Sequence, residues 1–177
     1  MTDTVVLTAS AGAFPGLAAA LGRIRVAIEE RPLMSFAPPA NGGPLDAALE
    51  RLGEYGSIAF TSPRAAHAVA RRMKELAVGW PPVRSTPVVW ATGPATAAGL
   101  SGGMGSVRLP AGRRTGRIGA ARALGRAMLE KQASGPVLFP CGESHRDELP
   151  LELRAGGLSV DEVVCYRSVL AAIAEAR

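Results

Sequence analysis

The chain has 177 residues, 47% of them hydrophobic, a content that supports a packed core and argues against wholesale disorder. It contains no apolar run near the roughly 20 residues that a membrane span needs, and we expect no secretory signal, because no basic segment precedes its first apolar run. The net charge is +5, and every lysine or arginine position except Lys74 and Lys131 is arginine, which favours an anionic ligand. The aromatic content of 5% gives little support to nucleic-acid binding by base stacking.

Short apolar runs alternate along the chain with segments of helical periodicity. The runs predict strands at Thr4–Thr8, within Arg25–Phe36 on either side of Pro32, and at Ser57–Thr61, Val88–Ala91, Val107–Leu109, Val137–Pro140 and Val160–Val169. Helices are predicted between them at Phe14–Leu21, Pro44–Leu52, Pro63–Leu76, Pro94–Leu100, Arg117–Gln132 and Asp147–Arg154. Loops are predicted at Pro38–Gly43 and Pro81–Pro87. This alternation predicts an α/β fold in which helices cover both faces of a parallel sheet.

Three predicted strands end in small or hydroxyl-bearing residues immediately before a helix. These junctions are residues 60–64 (FTSPR), 91–96 (ATGPAT) and 140–146 (PCGESHR). At such junctions the unpaired amides of a helix N-terminus attract anions, and in a parallel sheet the junctions share one edge. A single junction is more often a plain helix cap, as Ser62 would be for the first, but three of them predict one shared anion site. The sequence contains neither a dinucleotide fingerprint nor a P-loop.

Four segments resemble signature regions of the uroporphyrinogen-III synthase family and follow one another in the family's order. They are residues 55–65 (YGSIAFTSPRA), 92–97 (TGPATA), 137–150 (VLFPCGESHRDELP) and 162–167 (EVVCYR), and the resemblance extends over residues 4 to 170. It implies two α/β lobes with flavodoxin-like parallel sheets, joined by a two-stranded ladder formed by Pro32–Phe36 and Val163–Val169. Residues 1–33 and 168–177 would form an incomplete first lobe, and residues 34–167 the inserted second lobe.

The resemblance also implies that the first lobe needs further strands and helices after Val169. We therefore expect the natural protein to be longer and the 177-residue chain alone to be inactive. Truncation, cleavage, and a natural half-enzyme that pairs with another copy stay open as explanations.

The function that the resemblance implies is that of a lyase of tetrapyrrole biosynthesis. Its substrate would be hydroxymethylbilane, a linear tetrapyrrole with many carboxylates, which loses its terminal hydroxyl as water and closes to uroporphyrinogen III with inversion of the last ring. Tyr166 is the implied catalytic residue, because a phenol is protonated at neutral pH and can donate to the leaving hydroxyl. The implied substrate-binding residues are Thr61, Ser62, Arg64, Gly93, Thr96, Gly142 and Arg146.

The resemblance further implies no metal or organic cofactor. From the composition we expect no nucleic-acid or membrane partner, and from the two cysteines, too few for a disulfide framework, a cytoplasmic location. We expect a monomer when the protein is full length. Two other functions stay open: a tetrapyrrole-binding or regulatory module without turnover, and a phosphate- or nucleotide-binding α/β protein. For Tyr166 the alternative is plain packing in the ladder. We expect His145 to be exposed, and Cys141 and Cys165 to be small buried apolar groups in a reducing compartment.

Overall fold

The computed structural model describes residues 3–10, 13, 16–81, 86–100, 106–110 and 119–171. Its strands are β1 Thr4–Leu7, β2 Ala27–Glu30, β3 Met34–Ala37, β4 Ser57–Phe60, β5 Val88–Ala91, β6 Val107–Arg108, β7 Val137–Gly142 and β8 Val160–Leu170. Its α-helices are α1 Leu17–Leu21, α2 Gly43–Glu50, α3 Pro63–Glu75, α4 Pro94–Ala98, α5 Ala120–Glu130 and α6 Glu148–Ala155. The first residues of the predicted helices Phe14–Leu21 and Arg117–Gln132, and most of the predicted loop Pro81–Pro87, lie outside the described residues.

The predicted α/β class is confirmed. Strands β1 and β2 form a small parallel sheet, and the larger sheet has the order β3-β8-β7-β4-β5-β6. Within it the pairs β7–β8, β4–β7, β4–β5 and β5–β6 are all parallel. From β4 the chain passes outward through β5 to β6, and it then returns to β7 and β8 on the other side of β4, which is a doubly wound order.

Side chains of the larger sheet alternate between two faces, and each face has its own core. Ile58 and Phe60 pack with α2 and α3 on what we call the α2–α3 face. Ala59, the residue between them, packs with α5 and α6 on the α5–α6 face. Because successive strand residues point to opposite faces, the apolar run that predicted β4 supplies both cores at once.

The chain divides into two compact units, one of residues 1–37 and 168–177 and the other of residues 38–167. Both cores belong to the second unit. The assignment of these units to the two lobes predicted from the sequence stays a prediction. No helix in the described part of the chain is long and apolar enough to cross a membrane.

The main departures from the predicted elements are at their ends. The predicted extended stretch Arg25–Phe36 is split into β2 and β3 around Pro32, as the proline suggested. Helix α4 ends at Ala98 instead of Leu100, where Gly99 packs tightly: an added Cβ would lie 3.1 Å from the Ala66 Cβ. A short 3₁₀ helix at Leu52–Glu54 replaces the end of the predicted second helix.

Candidate active site

The larger sheet has its topological switch point between β4 and β7. The helix after β4 packs on the α2–α3 face, whereas the helix after β7 packs on the α5–α6 face. In doubly wound sheets the ligand crevice lies outside the carboxyl ends of the strands at this point. The ladder between β4 and β7 comprises Ser57 with Val137 and Ile58 with Leu138. Further along β7, Pro140 has no N–H to extend the ladder, so the two strands can part towards their carboxyl ends.

Four of the predicted site residues lie at or near the carboxyl ends of neighbouring strands. The first residues of β4, β5 and β7 are paired with one another. Ser62, Gly93 and Gly142 follow these first residues by the same number of positions. Gly142 is in turn paired with Tyr166 on β8. The sheet register therefore brings Ser62, Gly93, Gly142 and Tyr166 to the same edge, in the order β5, β4, β7, β8.

The β4–α3 junction combines a helix cap with a hydroxyl that can serve a ligand. The Ser62 Oγ accepts a hydrogen bond from the Ala65 backbone N–H at 3.1 Å, and Pro63 occupies the first helical position, where its missing N–H costs nothing. This bond uses a lone pair of Ser62 and leaves its hydroxyl proton for another acceptor. Thr61 is half-buried beside it, and Arg64 is exposed in the first turn of α3.

The β5–α4 junction contains a directed pair of hydroxyls. The Thr61 carbonyl can only accept, so the Thr92 hydroxyl donates to it at 3.3 Å. Thr92 then has only lone pairs to offer, so Thr96 donates to Thr92 at 3.2 Å. Thr96 is 4% exposed and its proton is used in this bond, so its role as a substrate-binding residue stays a prediction. Gly93, which follows Thr92 directly, has room for a Cβ.

Sequence reasoning did not select Thr92 as a site residue, although it lies inside a recognised motif. Its hydroxyl joins the β5–α4 junction to the β4–α3 junction through the Thr61 carbonyl. A threonine placed directly after a buried strand was the available signal, but its partner became visible only with the register of β4 and β5.

A β-bulge places Tyr166 against Gly142. Cys141 is paired with Val164 and Gly142 with Tyr166, so Cys165 is the extra residue of β8. Cys165 and Tyr166 consequently both pack on the α2–α3 face. A Cβ added to Gly142 would lie 2.7 Å from Cζ and 2.9 Å from Oη of Tyr166, which only glycine avoids. The close approach of ring and backbone explains why this strand ends in glycine.

The β7–α6 junction is fixed by His145, and the prediction that His145 is exposed is wrong. Its side chain is 23% exposed, because the ring turns back against the sheet. Nδ1 lies 3.1 Å from the Gly142 carbonyl oxygen, and Nε2 lies 2.7 Å from a carboxylate oxygen of Glu162 on β8. Arg154 on α6 lies 2.7 Å from the other oxygen of Glu162. Sequence reasoning missed Glu162, whose partners are distant along the chain.

Three residues of this junction bring ligand-type atoms close together. One atom each of His145, Asp147 and Glu162 lies within 4.8 Å of the others. The hydrogen bond from His145 and the ion pair with Arg154 already occupy both carboxylate oxygens of Glu162. The spacing of the group follows from these bonds, and we assign it to the ionic network of the junction.

The two predicted arginines of the site both reach solvent. The Arg146 side chain is 87% exposed, and its guanidinium lies 4.0 Å from the Glu148 carboxylate. Arg64 is exposed at the start of α3. Arg64 follows β4 and Arg146 follows β7, and their role as substrate-binding residues stays a prediction.

The two cysteines are buried packing groups, as predicted. Burial, followed by the charge of Glu162, raises the pKa of the Cys141 thiol to about 12. Burial, followed by Cys141, raises the pKa of the Cys165 thiol to about 12. Cys165 donates to the Cys141 carbonyl at 3.3 Å. Neither thiol is poised to form a thiolate nucleophile.

These features define a class: a doubly wound α/β protein whose switch point is bordered by a helix cap, close glycine–tyrosine packing and basic side chains. Within this class, the chain belongs to the uroporphyrinogen-III synthase family, because the family model described as uroporphyrinogen-III synthase HemD matches residues 16–176. The resemblance seen in the sequence is thereby confirmed. No curated protein matches the chain.

Solved structures share the fold of this chain. A mutant uroporphyrinogen III synthase from the extremely thermophilic bacterium Thermus thermophilus has a TM-score of 0.61 at 14% identity, over 96% of this chain and 64% of its own. The uroporphyrinogen-III synthetase of Helicobacter pylori has a TM-score of 0.54 at 14% identity, over 99% of this chain and 65% of its own. The chain thus spans just under two thirds of the length of these proteins, with which it shares its fold.

Proposed function

We propose that this chain carries the active-site edge of an enzyme that dehydrates and closes hydroxymethylbilane to uroporphyrinogen III. One observation supports this most: in a member of this family, Ser62 and Gly93 directly precede the helices after two neighbouring strands, and Gly142 ends the next strand, where it pairs with Tyr166. Such an edge suits a substrate that offers several carboxylates to neighbouring strand–helix junctions. The assignment as a cyclising hydro-lyase belongs to this proposal.

Substrate carboxylates would be held mainly at the start of α3. This helix has 13 residues, so its N-terminus carries partial positive charge. The Ser62 hydroxyl can donate to the same carboxylate, and Arg64 adds a formal charge at the rim. Thr61 shapes the wall, while Gly93 and Gly142 let backbone come close to the ligand. Arg146 would meet a carboxylate at the opposite side of the crevice.

The chemistry needs one proton at the hydroxyl that leaves. The Tyr166 phenol would donate this proton as the carbon–oxygen bond breaks, and the bonding electron pair leaves with water. The cation that remains on the substrate is attacked by the substituted α-carbon of the last pyrrole ring, which gives a spiro intermediate. The bond from that carbon to its original methylene bridge then breaks and leaves a cation on the neighbouring ring. The free α-carbon of the last ring attacks this second cation, so the ring is inverted as the macrocycle closes. Loss of a proton from that carbon restores the pyrrole, and the phenolate takes up a proton again. The residues of the chain thus supply the proton donor and the surface that holds the substrate, and we propose no metal or organic cofactor.

A second candidate is a tetrapyrrole-binding module without turnover. A cytoplasmic location, a monomeric full-length protein and low activity of the 177-residue chain alone remain part of the proposal.

Incubation with hydroxymethylbilane, followed by separation of the uroporphyrinogen isomers, tests the function. Isomer III formed by the 177-residue chain, or by a longer protein that contains it, would support the enzyme. Isomer I alone, at the spontaneous rate, together with binding of uroporphyrinogen III, would favour the binding module. A thermal shift with nucleotide but not with uroporphyrinogen would contradict both and indicate a phosphate-binding protein.

A further inference from the structure

We propose that His145 is a positioning residue which, as an imidazolium cation, holds the β7–α6 junction in the conformation that places Gly142 against Tyr166. The inference rests on the proposed function for its effect on turnover. The protonation of the ring and its effect on Tyr166 are properties of the folded chain and can be measured without substrate.

The two partners of His145 decide its protonation. The Gly142 carbonyl oxygen, 3.1 Å from Nδ1, can only accept a hydrogen bond. The Glu162 carboxylate, 2.7 Å from Nε2, also only accepts when it is ionised. A neutral imidazole has a single N–H and satisfies one of these partners, whereas the cation satisfies both.

The surroundings of Glu162 keep that carboxylate ionised. Burial raises its pKa, but hydrogen bonds from His145 and Arg154 outweigh burial and hold the pKa below its ordinary value of 4.5. Arg154 lies 2.7 Å from one oxygen and fixes it from the side of α6. A protonated Glu162 that donates to a neutral His145 is therefore disfavoured.

The other groups that face the ring agree with a cation. From the loop before α6, the Asp147 carboxylate lies 3.8 Å from Nε2 and adds negative charge. From β7, the Phe139 ring packs edge to face with the imidazole at 5.6 Å and adds no charge. The neighbouring Cys141 thiol has its pKa raised to about 12 by burial and the charge of Glu162, and stays neutral.

The junction transmits the state of His145 to Tyr166. The ring holds the Gly142 carbonyl, and the next residue, Glu143, donates its N–H to the Tyr166 carbonyl at 3.0 Å. Gly142 itself lies directly against the Tyr166 ring. Loss of the proton from His145 would release either Gly142 or Glu162, and the phenol would then be held less firmly at the crevice.

Nuclear magnetic resonance of the ¹⁵N-labelled chain tests the proposal directly. The chain has two histidines, and His67 is an exposed control on α3. It also has two tyrosines, of which Tyr55 serves as the control for Tyr166. We expect both ring nitrogens of His145 to carry protons at about pH 5.5, and the Tyr166 ring signals to shift with the same midpoint as His145. In His145→Gln the Tyr166 signals should lose this shift, and in His67→Gln they should keep it.

Turnover supplies the second readout. For a preparation that forms isomer III, His145→Gln should lower kcat by about tenfold with KM within about twofold, since a misplaced acid costs rate more than binding. In the wild type, kcat should decrease towards alkaline pH because His145 loses its proton. His145→Gln should lack this decrease, whereas His67→Gln should keep it. A neutral His145 ring at about pH 5.5, or Tyr166 signals that do not follow it, would overturn the proposal. A longer protein that contains the chain, forms no isomer III and shows the expected signals would refute the proposed function and leave the positioning role standing.

Discussion

At the scale of single residues, the proposed mechanism depends on the phenol of Tyr166. Tyr166→Phe removes the proton donor and keeps the ring that packs on Gly142, so we expect isomer III formation to fall roughly 100-fold with a melting temperature within about 2 °C of wild type. Tyr55→Phe is a matched control: Tyr55 is buried and donates to Asp161 at 2.8 Å, so its loss should lower the melting temperature and leave the rate unchanged. An unchanged rate in Tyr166→Phe would reject Tyr166 as the acid.

Gly142 and Gly93 provide a second comparison at this scale. A Cβ at Gly142 would collide with Tyr166, whereas a Cβ at Gly93 has nothing within 4 Å. We expect Gly142→Ala to displace the Tyr166 ring and lower isomer III formation about tenfold or more. Gly93→Ala should leave the Tyr166 ring signals in place and weaken only the binding of uroporphyrinogen III. The prediction fails if both variants show the same Tyr166 spectrum.

The residue scale also shows how far sequence reasoning reaches. The cap formed by Ser62 is predictable because a serine before a proline and a helical segment is a local signal. The hydroxyl pair of Thr92 and Thr96 is not, because its direction depends on which strand lies beside β5. Tyr166 could be placed on a strand, but its contact with Gly142 required the bulge at Cys165, which no local pattern indicates.

At the scale of elements, Glu162 joins β8 to both the β7–α6 junction and α6. Its pKa is lowered by His145 and Arg154 despite the opposing effect of burial. A carboxylate with a lowered folded-state pKa stabilises the fold above its ordinary value of 4.5, and this contribution is lost as the pH falls through the folded-state pKa. We expect Glu162→Gln to cost about 1 kcal/mol of unfolding free energy near neutral pH, since one charge-assisted network is weakened at a partly exposed position.

Thermal denaturation between about pH 3 and pH 7 measures this effect. The difference in melting temperature between wild type and Glu162→Gln should be a few degrees near neutral pH and should shrink towards zero near about pH 3. Glu130→Gln, at the end of α5, is a suitable control for the loss of a carboxylate. A difference that is constant across the range would show that Glu162 stabilises the fold by packing alone.

At the scale of the whole molecule, the order of the strands, and with it the position of the switch point, could not be predicted from the sequence. Apolar runs predicted the individual strands, and their lack of alternation predicted burial on both faces. The same runs fit several orders of a parallel sheet, so the switch point between β4 and β7 became evident only from the pairing of their first residues. His145 and Glu162 meet because β7 and β8 are neighbours, and sequence reasoning therefore placed His145 in solvent.

The distribution of buried residues predicts that the second unit folds by itself. Every member of both cores lies between Leu45 and Cys165, within residues 38–167. We expect a fragment of residues 38–167 to unfold cooperatively, with a melting temperature within about 5 °C of the whole chain, because its apolar burial is complete. Near-ultraviolet circular dichroism and the fluorescence of Trp80 and Trp90 report this transition.

A fragment of residues 38–158 is the control. It lacks β8, whose Val160, Val163 and Cys165 belong to the cores, and it should lose the cooperative transition. A non-cooperative melt of residues 38–167 would show that the cores depend on the rest of the chain.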